Sequence, residues 1–254
     1  MKALITGAST GLGKDFAKIL SNKGYDLVLV ARSKEKLYKL KEELSTNVEI
    51  EVMDLSETKN VLKLVEKYKN EIDLLINNAG FGECGYFNEI NLDTELNMID
   101  LNIKTLHILT KEFISEFIKK DKGQILNVAS SAAFQPGPLM ATYYATKSYV
   151  YNLTMAIYEE LRRKKSKVKI SVLCPGPVNT EFNKRAKVSF SLKGLESEDV
   201  VLYTIKCLEN NKLVIIPGLI MKISAFLNRL VPKKIILKVV YKIQRKKLYI
   251  KSKS

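Results

Sequence analysis

Tryptophan is absent from this 254-residue chain, histidine occurs once and cysteine three times. Cys84, Cys174 and Cys207 share no metal-ligand spacing and cannot all pair, so neither a zinc centre nor a disulfide framework is expected; free thiols in a reducing cytosol are. His107, set among Leu106, Ile108 and Leu109, reads as a helix-packing residue rather than a catalytic base. No metal site is expected, and the scattered Asp and Glu residues offer no carboxylate pair for hydrolysis. No apolar run approaches the ~18–20 residues that span a bilayer. The opening Met1-Lys2-Ala3-Leu4-Ile5 runs straight into a strand-like segment, leaving no room for a signal peptide, so a cytoplasmic location is expected.

Acidic residues are also missing from one end. The chain carries 42 Lys and Arg against 27 Asp and Glu, but 12 of the 42 follow Glu209, where no Asp or Glu remains. The body is therefore close to neutral and the basicity belongs to the C-terminus. Reading the whole chain as a nucleic-acid binder from its charge would be a mistake. With 46% hydrophobic residues and no repeat or linker in the first two-thirds, one sizeable core is expected.

Short apolar runs at Lys2–Thr6, Asp26–Val30, Glu49–Met53, Leu74–Asn77, Gln124–Ala129, Lys169–Cys174 and Leu213–Ile216 read as buried strands. Amphipathic stretches separate them, as where Leu37, Leu40 and Leu44 recur at helical spacing. Such alternation predicts an α/β fold: a doubly wound, mostly parallel, Rossmann-like sheet with helices on both faces. Residues 1–217 are expected to form the nucleotide-binding catalytic domain, and 218–254 a basic amphipathic helical extension.

The first strand leads directly into Thr6-Gly7-Ala8-Ser9-Thr10-Gly11-Leu12-Gly13, which opens a helix at about Gly11–Lys23. A turn of this kind brings backbone N–H groups against a pyrophosphate at a helix N-terminus. A side chain at Gly7 or Gly11 would obstruct that approach, and Gly13 lets the helix pack against the sheet. The second strand ends Ala31-Arg32-Ser33, without the carboxylate that an NAD site places on the ribose 2′-hydroxyl. Arg32 instead suits a 2′-phosphate, with Ser9 and Ser33 as further donors, so NADP(H) is the expected cofactor. Asp54, with Leu55 beside it, is placed to accept from the adenine amino group.

Tyr143 and Lys147 stand at i and i+4, on one face of a helix, where an ammonium can favour a phenolate. Together with the glycine turn, Asp54, Asn77-Asn78-Ala79-Gly80, Asn102 in Ile99-Asp100-Leu101-Asn102, Ser130, and Pro175-Gly176-Pro177-Val178 with Thr180, this order and spacing resembles the short-chain dehydrogenase/reductase family over residues 1–215. The likeness is to its short branch, which holds ketoacyl reductases and hydroxysteroid dehydrogenases. The resemblance implies Tyr143 as the acid that protonates a carbonyl oxygen and takes the proton back in the reverse direction. It implies that Lys147 lowers the Tyr143 pKa and holds the nicotinamide ribose, and that Ser130 polarises the substrate oxygen. Asn102 would anchor a water linking Lys147 to solvent. Asn78, Ala79 and Gly80 would line the cofactor, and Pro175, Gly176, Val178 and Thr180 its carboxamide. Tyr144 and Ser131 are read as packing and supporting neighbours, and Cys84 as a residue near the mouth of the site.

Function follows as an NADP(H)-dependent carbonyl/secondary-alcohol oxidoreductase, with a lipid-like or acyl substrate as one reading. Small soluble ketones, aldehydes or sugars are the other enzymatic reading, and a non-catalytic NADP-binding regulator or scaffold the reading from another class. By analogy with the family, a homodimer or homotetramer is expected through helices like Leu106–Ile118 and Thr146–Arg163. Residues 178–196, with Phe182, Val188, Phe190 and Leu192 among Lys184, Arg185, Lys187 and Lys193, read either as a lid or as a surface loop. Beyond Gly218, Ile223, Phe226, Leu227 and Leu230 fit one stripe, and Ile235, Ile236, Val239, Val240 and Ile243 another opposite Lys234, Lys238, Lys242 and Arg245. Contact with an anionic membrane and packing within an oligomer both fit that pattern; nucleic acid fits it poorly.

Overall fold

The computed structural model describes residues 1–180 and 194–251, with side chains followed to Lys246; the expected lid residues Phe182–Lys193 lie outside the described residues. Strands β1 (Lys2–Thr6), β2 (Asp26–Ala31), β3 (Val48–Val52), β4 (Leu74–Asn77), β5 (Gln124–Val128) and β6 (Lys169–Leu173) alternate with helices α1 (Gly11–Asn22), α2 (Lys34–Glu42), α3 (Thr58–Tyr68), α4 (Leu92–Ile99), α5 (Leu106–Lys120) and α6 (Ala141–Arg163). A short pair, β7 (Val178–Asn179) and β8 (Leu195–Glu196), precedes α7 (Ser197–Glu209), β9 (Val214–Ile215), α8 (Leu219–Leu227) and α9 (Lys233–Lys251).

The main sheet is parallel throughout, in the order β3-β2-β1-β4-β5-β6-β9. It is buried on both faces, which is why its strands read as unbroken apolar runs. Period-2 alternation divides each strand between two cores. Ala3, Ile5, Leu27 and Leu29 pack with Phe16, Leu20, Leu37 and Val201 from α1, α2 and α7. Leu4, Val28, Val30 and Leu75 pack with Leu64, Phe113, Phe117 and Leu161 from α3, α5 and α6. Truncating a fully buried ring such as Phe113 would cost about 3–5 kcal/mol.

The chain winds outward from β1 through β2 to β3, then returns to β4 on the other side of β1. That reversal leaves a crevice beyond the carboxyl ends of β1 and β4, at Thr6 and Asn77. The expected edge strand Leu213–Ile216 shrinks to Val214–Ile215, because β9 pairs on one side only.

Candidate active site

Where β1 and β4 end, side chains stitch the crevice floor. Thr6 Oγ1 accepts from the backbone N–H of Asn78 and of Ala79, each at 3.0 Å. Asn78 Nδ2 donates to the carbonyls of Thr6 (2.9 Å) and Gly7 (3.2 Å), so the glycine turn is held in one shape. Gly7 sits at φ +66°, and a Cβ there would lie 2.9 Å from Ala79 Cα. A Cβ at Gly13 would fall 2.2 Å from the Gly7 carbonyl oxygen, which no packing adjustment accommodates. No side chain caps α1 at Thr10, so its first N–H groups remain for an anion. This cradle fits a pyrophosphate.

At the adjoining end lie Arg32, Ser33, Asp54 and Leu55, together with Lys36, which the sequence reading passed over. Its signal was position: Lys36 falls in the first turn of α2, one turn beyond the strand end that carries Arg32. Arg32 reaches Asp54 Oδ2 only at 3.4 Å, with both groups exposed, so this pair contributes little. Asp54 Oδ1 accepts from the Ser56 N–H (2.9 Å) and hydroxyl (2.8 Å). Partial burial pushes the Asp54 carboxyl up, but the Ser56 donors and Arg32 outweigh it and hold it below the ordinary carboxylate value.

The reacting end is built on α6 and the end of β5. Tyr143 and Lys147 are both buried on the same face of α6, with the Lys147 Nζ 5.9 Å from the Tyr143 ring centre. Lys147 Nζ donates to the Val128 carbonyl at 2.9 Å. Ser130 accepts from the Ala132 N–H at 3.1 Å, and its side chain is hydrogen-bonded to that of Tyr143. Behind them, a π-helical turn over Asp100–Thr105 joins α4 to α5 and carries Asn102. The Asn102 carboxamide is fully used: Oδ1 accepts from the Phe81 N–H (3.1 Å), while Nδ2 donates to the Phe81 carbonyl (2.9 Å) and to Thr146 Oγ1 (3.1 Å).

Burial dominates the electrostatics here. It pushes the Tyr143 phenol above its ordinary range, and the Ser130 contact offsets only part of that. The same burial pulls Lys147 down to about 8. The nearby cation does not offset that burial here, since the Lys147 Nζ is turned to the Val128 carbonyl. Neutral phenol is the resting form.

The far end of the cleft is walled by residues sequence reasoning did not assign to it. Met221 and Ala225 of α8 and Val240, Ile243 and Gln244 of α9 line it, opposite Met140 and Tyr144. Met221 packs where a Cβ on Gly176 would stand, 2.6 Å from its sulfur. Three side-chain hydrogen bonds fasten these helices down: Asn228 Nδ2 donates to Gln135 Oε1, the Tyr241 and Tyr86 hydroxyls are hydrogen-bonded to each other (3.1 Å), and Gln244 Nε2 donates to the Tyr144 hydroxyl (2.5 Å). A legible signal existed for Gln244. It is the one amide in a run of apolar and cationic residues, and it continues the i, i+4, i+8 line through Ile236 and Val240.

One cleft of about 590 Å³ thus brings together nearly every residue named from the sequence, in the size range of small-molecule and cofactor sites. Gly13 and Asn102 stand behind its wall instead. His107 lies apart, its Nδ1 2.7 Å from the Tyr149 hydroxyl. Cys84, Cys174 and Cys207 are all buried. Among the described residues, no three His, Cys, Asp or Glu side chains gather as a metal site would need.

Residues 1–189 match the family model described as short chain dehydrogenase. An uncharacterised oxidoreductase of Staphylococcus epidermidis is 33% identical over 80% of this chain and 90% of its own length. Among solved structures, a short-chain dehydrogenase from Sphingobium yanoikuyae in complex with NADPH is 31% identical, with a TM-score of 0.79 over 86% of this chain and 88% of that one. The bulky-bulky ketone specific alcohol dehydrogenase from Comamonas testosteroni is 29% identical, with a TM-score of 0.76 over 86% of each chain.

Proposed function

From the premise that this chain belongs to the short-chain dehydrogenase/reductase family, and is thus an oxidoreductase using a nicotinamide cofactor, we propose that it interconverts a carbonyl and a secondary alcohol with NADP(H). The observation that carries the reading is the buried Tyr143, hydrogen-bonded to Ser130 and one helical turn from Lys147. When bound, the cofactor supplies or accepts the hydride; this chain supplies orientation and the proton.

In the reducing direction, Ser130 and Tyr143 take the substrate oxygen between them. Tyr143, held neutral by burial, gives its proton as negative charge develops there. Lys147 would then stabilise the phenolate and, with the cofactor bound, would hold the nicotinamide ribose. Asn102, its carboxamide consumed, acts by fixing the π turn and Phe81 against Thr146, so any water in the proton path is held by backbone that it positions. Gly7–Gly13 would cradle the pyrophosphate, while Arg32 with Ser9, Ser33 and Lys36 would receive the 2′-phosphate. Asp54 and Leu55 would flank the adenine. Asn78, Ala79 and Gly80 would line the cofactor's middle, and Pro175, Gly176, Val178 and Thr180 its carboxamide. The relative solved with NADPH supports the choice of cofactor.

Met140, Met221, Ala225 and Val240 give the substrate end an apolar lining, which favours a lipid-like or acyl carbonyl over a sugar. The bulky-bulky ketone specific relative agrees with a bulky carbonyl. A cytoplasmic homodimer or homotetramer pairing through α5 and α6 belongs to the same reading. Its test is NADPH consumption on a panel of long-chain and short-chain ketones by the wild type and Tyr143→Phe. Turnover that survives in Tyr143→Phe would overturn it.

A further inference from the structure

Helices α8 and α9 have two faces of different chemistry. The inner face walls the substrate end through Met221, Ala225, Val240 and Gln244. The outer face presents large apolar side chains to solvent: Ile220 and Phe226 are 72% and 61% exposed, Ile235, Val239 and Ile243 about half, and Leu230 in the turn between the helices 65%. The α9 stripe read as one apolar face is thus divided, Ile236 and Val240 turned inward and Ile235, Val239 and Ile243 outward. Isolated exposed apolar residues need no explanation, but so many on two consecutive helices mark a contact surface. Lys222, Arg229, Lys234, Lys238, Lys242 and Arg245 stand exposed among them, and no Asp or Glu follows Glu209 in the sequence.

That charge selects the occupant. A second copy meeting this surface about a two-fold axis would set cation against cation, with no carboxylate on either helix to pair. Nucleic acid would satisfy the cations but leave the aliphatic side chains unused. An anionic bilayer takes both, apolar groups below the headgroups and cations among them. Among the described residues no helix is long and apolar enough to cross a membrane, so the contact would lie in the interface.

We propose that the outer face of α8 and α9 docks on an anionic lipid surface, which sets the substrate end of the cleft at the membrane and makes the substrate an amphiphilic carbonyl drawn from it. Ile243 joins the two surfaces, since it is half-exposed and also lines the cleft. Delivery of substrate rests on the carbonyl-reductase reading above; docking does not.

The experiment is co-sedimentation of the full chain with vesicles of phosphatidylcholine alone and of phosphatidylcholine with about 30 mol% phosphatidylserine. The wild type should partition to the anionic vesicles only. Lys234→Glu/Lys238→Glu/Lys242→Glu should weaken that partition by about a hundredfold or more. Ile220→Ser/Phe226→Ser should weaken it in a second, uncharged way, with NADPH binding retained in both variants. No partition, or equal partition of wild type and both variants, would overturn docking. A dimer in gel filtration that Ile220→Ser/Phe226→Ser converts to monomer would do the same. A long-chain 3-keto thioester carried in the anionic vesicles then tests delivery: its turnover should fall in the charge-reversed variant while a short soluble ketone is reduced as before. Loss on both substrates, or on neither, would overturn delivery while leaving the carbonyl chemistry to the Tyr143→Phe comparison.

Discussion

Gln244 on α9 donates through Nε2 to the hydroxyl of Tyr144 at 2.5 Å, tying the C-terminal helix to the residue beside the catalytic candidate Tyr143. The two tyrosine rings meet edge to face with centroids 6.1 Å apart, yet their hydroxyls have different partners, Ser130 for one and Gln244 for the other. Adjacent residues on a helix point about 100° apart, which is how one position serves chemistry and its neighbour serves the wall.

The paired substitutions should therefore differ in kind. Tyr143→Phe removes the proton donor, and kcat should fall by roughly 10²–10⁴. Tyr144→Phe leaves the buried Gln244 carboxamide without its partner at about 1–3 kcal/mol, loosening α9. Gln244 Oε1 already lacks a partner among the described residues, so the amide has nothing else to turn to. KM should rise and the melting temperature fall, with kcat within about tenfold of wild type. Equal losses of kcat in steady-state assays of the two variants would sink the distinction.

Lys147 offers a stability test with a definite sign. Its pKa is pulled from 10.5 to about 8 by burial, so between those values the unfolded chain binds a proton that the folded chain has released. Stability from this group rises with pH across that window, and below about 8 the full penalty applies. Lys147→Met keeps the packing volume and removes the charge. It should be more stable than wild type at pH 7 by up to about 2–3 kcal/mol, an advantage shrinking towards pH 10, while turnover is lost. Denaturant melts at pH 7 and pH 9 check this; a variant less stable than wild type at pH 7 would contradict it.

The pH dependence of turnover follows from Tyr143. With the phenol held neutral, NADPH-driven reduction should run near its maximum at neutral pH. Oxidation needs phenolate and should climb toward alkaline pH. Initial rates in both directions from pH 6 to 9 decide it, and oxidation faster at pH 6 than at pH 9 would be the contrary result.

Sheet, glycine turn and the Tyr143/Lys147 face were legible because each rests on local periodicity or on a backbone demand only glycine meets. The strand limits of β1 and β4 coincide with the apolar runs, since both strands are interior and paired on two sides. What escaped depends on tertiary contact. Nothing local says that Ile236 and Val240 turn inward while Ile235 and Val239 face solvent, or that Met221 settles on Gly176. The direction of the Tyr143 pKa escaped for a related reason: an i, i+4 ammonium suggests a lowered phenol, but burial is a property of the whole cleft and it prevails.

Gly80 shows how closely the reacting end is packed. A methyl there would come within 2.9 Å of Asn102 Oδ1 and 3.4 Å of Lys147 Nζ. Gly80→Ala should thus disturb both residues at once, at about 1–3 kcal/mol of strain. The expected outcome is a lower melting temperature and a fall in kcat larger than the change in NADPH affinity. Unaltered kcat would mean that the close packing of Gly80 on Asn102 and Lys147 does not hold the reacting end in place.

Cofactor choice is tested at the other end of the cleft. Arg32 spends little on Asp54, since that pair is long and exposed, so its guanidinium is available to a 2′-phosphate. A charge-assisted hydrogen bond of about 1.5–3 kcal/mol corresponds to roughly 10–100-fold in affinity. Arg32→Ala should raise KM for NADPH by that factor and leave KM for NADH within about twofold. Lys36→Ala should act in the same direction but more weakly, because a flexible ammonium makes a less directional contact than a planar fork. Added salt should weaken NADPH binding to the wild type and have less effect on the Arg32 variant, since screening has fewer charges left to act upon. If KM for NADPH and NADH moved together in Arg32→Ala, the 2′-phosphate assignment would fail and Arg32 would be a solvated charge at a strand end.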